Sequence, residues 1–234
     1  MSSKAVSRGG KAASARSESV AEGTNAAPMD SELVERGIVL LESEVARAGF
    51  DAAGRVSAAA LQVRDEVRGM CAAGRCHRYG SNWACPPACG ELDEFRALLA
   101  SCSSGLVFQT VGKLEDEFDG EAMMEAEALH KQRIESLVDA LDAKGMFPER
   151  CVVLAAGTCT RCKPCAYPQP CRFPERRLVS MEAAGLLVTD ACMAAGVPYN
   201  HGPLTIAYTS CVLLRHDPAG AAYQGKCGIP RRAS

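Results

Sequence analysis

The chain has 234 residues, 47% hydrophobic and 23% charged, with a formal net charge of −2. That composition is of an ordinary soluble globular protein with room for one full core, and it excludes nucleic-acid binding through bulk charge. No apolar run approaches the roughly 18 residues of a membrane helix, and the longest, such as 151–156, read as strands.

Residues 1–29 are rich in Ala, Ser and Gly without periodicity and read as a disordered tail. A helix is predicted from about Ser31 to Ala48, with Leu33, Val34, Ile38, Leu41 and Val45 on one face and Gly49 as its stop. A helix-poor stretch, 71–90, precedes a short helix at about 91–101 that buries Leu92, Phe95, Leu98 and Leu99. Gly105–Val111 reads as a strand, and a long helix follows from about Gly120 to Lys144, stopped by Gly145 and Pro148. Strands at 151–156 and 204–214, with a helix at 189–195 between them, complete the domain, and 216–234 read as a loose tail. The expected fold is mixed α/β, a single domain over 30–215 with a small central sheet flanked by helices and two cysteine-rich metal-binding loops.

The outlying number is thirteen cysteines, against six Phe, five Tyr and one Trp. An odd count cannot pair completely, and the N-terminal residues carry no apolar stretch of an export signal. A cytoplasmic location is expected, where clustered thiols stay reduced and indicate metal or redox chemistry.

The sharpest motif is Cys159-x2-Cys162-x2-Cys165 followed by Cys171, in a segment stiffened by four prolines at 164, 168, 170 and 174. Three cysteines at this spacing set successive thiolates around one compact inorganic centre, as in bacterial-type ferredoxins. A structural zinc site more often uses two separated pairs and is the alternative. A second constellation, Cys71, Cys76, Cys85 and Cys89, falls in a loop rich in Gly, Asn and Pro with the single Trp83. Its spacing is less specific. Cys76-His77 after Cys71 also invites covalent haem, a reading that would require export. Residues 159–177 sum to +4 and 71–90 to +2, so the rest of the chain is strongly acidic. Cations there would offset an anionic cluster and raise its reduction potential, or form a docking face for an acidic partner.

Cys71…Cys76-x2-Tyr79-Gly80-x2-Trp83-x-Cys85-Pro86-Pro87, then Gly157-x-Cys159-x2-Cys162-x2-Cys165, Cys171-Arg-x-Pro174 and Ser180-Met-Glu182-x2-Gly185 together resemble an uncharacterised prokaryotic family described as a predicted metal-binding protein. The likeness spans roughly residues 60–215. It implies a metal-binding, iron–sulfur protein of anaerobic metabolism and supplies no reaction. Cys89 stands outside that pattern, which implies that Cys71, Cys76 and Cys85 bind a cluster with an open iron site or with a fourth ligand from elsewhere.

Cys102, Cys151, Cys192, Cys211 and Cys227 are scattered, and four of them fall in predicted helices or strands or beside them, as small buried hydrophobes do. His130 continues the helical row Met123, Ala126, His130, Ile134, Leu137, Leu141, and reads either as a satisfied core histidine or as a polar group aimed at the site. Ser180 and Glu182 read as a cap with acidic support, or Glu182 as a proton donor beside a reducing centre. Tyr167, Tyr199 and His201 are weaker candidates of that kind, and no phosphate-binding glycine motif is present.

The expected function is therefore an iron–sulfur protein with one or two [4Fe–4S] clusters, transferring electrons to a redox partner protein or reducing a small substrate. Carrier and reductase both remain open, with Glu182 and His130 as the catalytic candidates in the second case. A structural zinc protein that docks a partner, and a metal or cluster delivery protein, are the alternatives.

Overall fold

A computed structural model describes residues 31–73 and 76–216. The expected tails at 1–29 and beyond His216, and Cys227, lie outside the described residues. The elements run α1 (Ser31–Arg47), β1 (Ala52–Ser57), α2 (Asp65–Ala72), α3 (Leu92–Ala100), β2 (Cys102–Lys113), α4 (Gly120–Ala143), β3 (Cys151–Leu154), α5 (Val188–Ala195) and β4 (Thr205–Arg215). Single 3-10 turns lie at Ala58–Ala60 and Pro174–Arg176.

The four strands form one antiparallel sheet in the order β1-β2-β4-β3. Successive strand residues point to opposite faces, and the two cores follow that alternation. Val107, Val152, Leu154, Cys211 and Leu213 face a core shared with Phe95, Leu98 and Leu99 of α3 and Ala191 and Cys192 of α5. Leu106, Phe108, Cys151, Val153, Val212 and Leu214 face the other, filled by Ile38, Leu41 and Val45 of α1 and by Ile134, Leu137, Val138 and Leu141 of α4. The expected small sheet flanked by helices is what the chain forms.

β1 and α2 are additions to the sequence reading. Each buries a single large apolar residue, Val56 and Val67, so neither shows a hydrophobic period. Asp119 caps α4 by accepting the Ala122 N–H at 3.0 Å, and Gly196, at φ 66°, ends α5. Among the described residues no helix is long and apolar enough to cross a membrane.

The sheet positions the cysteine segments through its short edge strand. Beyond β3 the chain leaves at Ala155, makes an excursion through the 159–171 cysteines, and returns alongside its own starting point. Ala155 N–H donates to the Val179 carbonyl at 2.9 Å, and Met181 N–H donates to the Ala155 carbonyl at 3.0 Å. Both ends of the loop are thus fixed to the sheet edge. Gly157 makes the exit turn at φ 64°, in the left-handed region that favours glycine.

Candidate metal centre

Cys159, Cys162, Cys165 and Cys171 line one cavity together with Asn82, Trp83, Arg161, Phe173 and Arg177. Burial pushes the Cys159 thiol up, while backbone N–H groups of Arg161 and Leu178 bond its sulfur and pull the other way. Such N–H groups favour the thiolate, the form that binds metal. Among the described residues, no three or more His, Cys, Asp or Glu side chains lie close enough to hold a single metal ion. The four thiols share a cavity without meeting at a point.

The second cysteine segment docks directly on the first. Asn82 Nδ2 donates to the Cys159 carbonyl at 3.4 Å, and Trp83 Nε1 donates to the Gln169 carbonyl at 2.7 Å. The Trp83 ring meets Tyr167 edge-on with centroids 5.2 Å apart. Cys85 is buried, and its thiol donates to Thr158 Oγ1 at 3.3 Å. Burial raises the Cys85 thiol; Thr158 and Arg78 act against it, while Cys76 and Cys165 reinforce it. The charges of Cys76, from its own segment, and of Cys165, from the other, thus both act on Cys85.

Cys71 sits half-buried in the last turn of α2, and Cys76 is exposed. Burial pushes the Cys71 thiol up, and Glu182, Cys76 and Cys85 act the same way against Arg68. The charges of Cys76, Cys85 and Glu182 thus all reach Cys71. Cys89 differs: it belongs to the core beside α3, its thiol faces the Ala183 carbonyl at 3.8 Å, and burial pushes it up to about 11.

The other predicted residues are distributed as follows. Cys102, Cys151, Cys192 and Cys211 are all buried in the cores. His130 is fully buried on α4, with Nδ1 3.0 Å from Thr110 Oγ1 and Nε2 2.8 Å from Ser210 Oγ. It is not among the residues lining the cysteine cavity. Ser180 Oγ accepts the Ala183 N–H at 3.1 Å, capping a turn at 181–185 where no helix forms. Tyr199 is exposed, His77 is exposed, and His201 Nε2 lies 2.8 Å from Gln109 Oε1.

The sequence reading passed over Thr158, Asn82 and the separate roles of the local cations. Of the cations at 159–177, Arg161 pairs with Glu135, Arg176 with Asp139 and Asp142, and Arg172 donates to the Pro164 carbonyl. Arg177 lines the cavity with buried Nε and Nη1 atoms that have no hydrogen-bond partner among the described residues. Buried donors without acceptors are costly. An anionic thiolate-ligated group in this cavity would supply the missing acceptors. On the chemistry of the donor set, four soft thiols, aimed backbone N–H groups and orphaned guanidinium donors, the residues fit an iron–sulfur or other soft-metal centre.

A family model described as a predicted metal-binding protein, DUF2284, matches residues 54–214. The chain belongs to that family. The match takes in both cysteine segments and nearly the whole sheet, and leaves α1 outside. No curated protein and no solved structure matches the chain.

Proposed function

We propose that this metal-binding domain is an iron–sulfur protein that moves single electrons. Cys159, Cys162, Cys165 and Cys171 would hold a first [4Fe–4S] centre, and Cys71, Cys76 and Cys85 a second. The carrying observation is that the four thiols of the ferredoxin-like run line one cavity. When bound, such a centre supplies one-electron oxidation and reduction.

The chain's own residues do the rest. The N–H groups of Arg161 and Leu178 hold the Cys159 sulfur, and Trp83 and Tyr167 close the seam between the segments. Cys85, bonded to Thr158 beside Cys159, sits where the two cysteine segments meet and would bring the two centres near one another. Lys163 and Arg172 are exposed beside the cavity segment and suit docking of an acidic redox partner. Glu182, whose charge reaches Cys71, is the candidate acid on that side if a small substrate is reduced there. Cys89 and His130 are left out of this assignment because their polar atoms face Ala183, and Thr110 with Ser210, respectively.

Electron paramagnetic resonance of dithionite-reduced protein, purified without oxygen, tests the reading. Wild type and Cys211→Ala should show reduced-cluster signals, and Cys162→Ser should lose that of the first centre. Wild-type protein without any such signal, and without visible bleaching, would contradict it.

A further inference from the structure

We propose that Arg177, and not the general positive charge of its segment, sets the reduction potential of the centre in the Cys159–Cys171 cavity, by donating hydrogen bonds from Nε and Nη1 to its sulfur atoms. This rests on the iron–sulfur reading above. The sequence offers Arg161, Lys163, Arg172, Arg176 and Arg177 as equivalent cations, and the structure separates them. Arg161 reaches the cavity but is neutralised by Glu135 and lies over the Phe173 ring, 5.7 Å from its centroid. Arg176 is turned away onto Asp139 and Asp142 of α4. Arg172 donates to the Pro164 carbonyl, and Lys163 is exposed. Arg177 alone of these both lines the cavity and keeps buried N–H groups with no acceptor among the described residues. Its charge also reaches Cys89 in the neighbouring core.

Donors and positive charge at cluster sulfurs stabilise the reduced, more negative state, and so raise the potential. Arg177 is accordingly a positioning and tuning residue, and reduction potential is the readout that a purely structural role would not move. The experiment is a redox titration of the visible absorption in wild type, R177M, R177K and R176M. In R177M the reduced-to-oxidised ratio at a fixed potential should fall about tenfold, equivalent to about 59 mV for one electron. R177K, which keeps charge but displaces the donors, should fall by a smaller factor. R176M, with the same change in formal charge, should match wild type.

Equal potentials in wild type and R177M, or equal shifts in R176M and R177M, would overturn the assignment while leaving the iron–sulfur reading intact. If R177M loses its iron, R177K decides: a lowered ratio supports the assignment and an unchanged one overturns it. A wild type with no titratable chromophore would overturn both readings.

Discussion

Trp83 in the Cys71–Cys89 segment donates its indole N–H to the carbonyl of Gln169 in the Cys159–Cys171 segment, at 2.7 Å. The bond spans 86 residues of sequence and makes the two cysteine constellations one structural unit. The bond is solvent-exposed and contributes about 0.5–1 kcal/mol net, and the ring pair with Tyr167 adds about 0.5–1.5 kcal/mol. Trp83→Phe should therefore lower stability by about 1 kcal/mol, and Trp83→Ala by about 2–3 kcal/mol, in urea titration. Equal stability of Trp83→Ala and wild type would mean that the two segments are held by other contacts.

Trp83 is also the chain's only tryptophan, and it lines the thiol cavity. Its fluorescence should be quenched when iron and sulfide are incorporated and should recover on chelation. Emission that does not change on loading would place the bound group elsewhere.

Thiol alkylation should divide the cysteines into two groups. Cys151 and Cys211 are fully buried, and burial pushes both thiols up to about 12. With Cys102 and Cys192 they should stay unlabelled in native protein near pH 8, whether or not metal is bound. Cys159, Cys162, Cys165 and Cys171 should label in metal-free protein and be protected after loading, as read by peptide mass spectrometry. Protection of Cys192 or Cys211 that appears only on loading would show that the ligand set is wrongly drawn.

His130 should make the fold acid-sensitive. Burial, followed by the charges of Arg133 and Lys131, lowers its pKa from 6.5 to about 3. The unfolded chain takes up this proton first, so the contribution is complete above pH 6.5 and is lost progressively as pH falls toward 3. The slope approaches 1.4 kcal/mol per pH unit at full effect. His130→Gln should flatten that part of the stability profile, measured by urea titration across pH 4–7. Parallel profiles for the two proteins would contradict the buried neutral histidine.

The turn that follows the cysteine loop is intolerant of a side chain at Gly185. A Cβ there would lie 2.9 Å from both Leu92 Cδ2 and Val63 Cγ1, and its φ of 83° disfavours any other residue. Gly185→Ala should cost about 1–3 kcal/mol and loosen metal retention, since the turn directly follows the stretch by which the loop returns to Ala155. Unaltered melting would show that the turn relaxes freely.

What was legible in the sequence follows the strength of its periodic signals. The row Met123, Ala126, His130, Ile134, Leu137, Leu141 marks the inner face of α4, whose buried residues are the last five plus Val138, with Met123 half-buried. β1 carries no periodic signal, because an edge strand reading Ala-Ala-Gly-Arg-Val-Ser buries only Val56. α2 is equally silent, because its eight residues include Gly69 and bury only Val67. The cysteine spacing exposed the four thiols of the cavity but not their neighbours. Asn82 and Cys159 meet across 77 residues, and no local pattern encodes that contact. Arg177 could be recognised in the sequence only as one cation among five, because its distinction lies in what its neighbours bond instead.

The most direct measurement is the iron, zinc and acid-labile sulfide content per chain of protein purified without oxygen. About four iron and four sulfide, or twice that, with a brown colour that dithionite bleaches, is the expected result. One or two zinc per chain with no sulfide would contradict the iron–sulfur account and leave a zinc-stapled domain in its place.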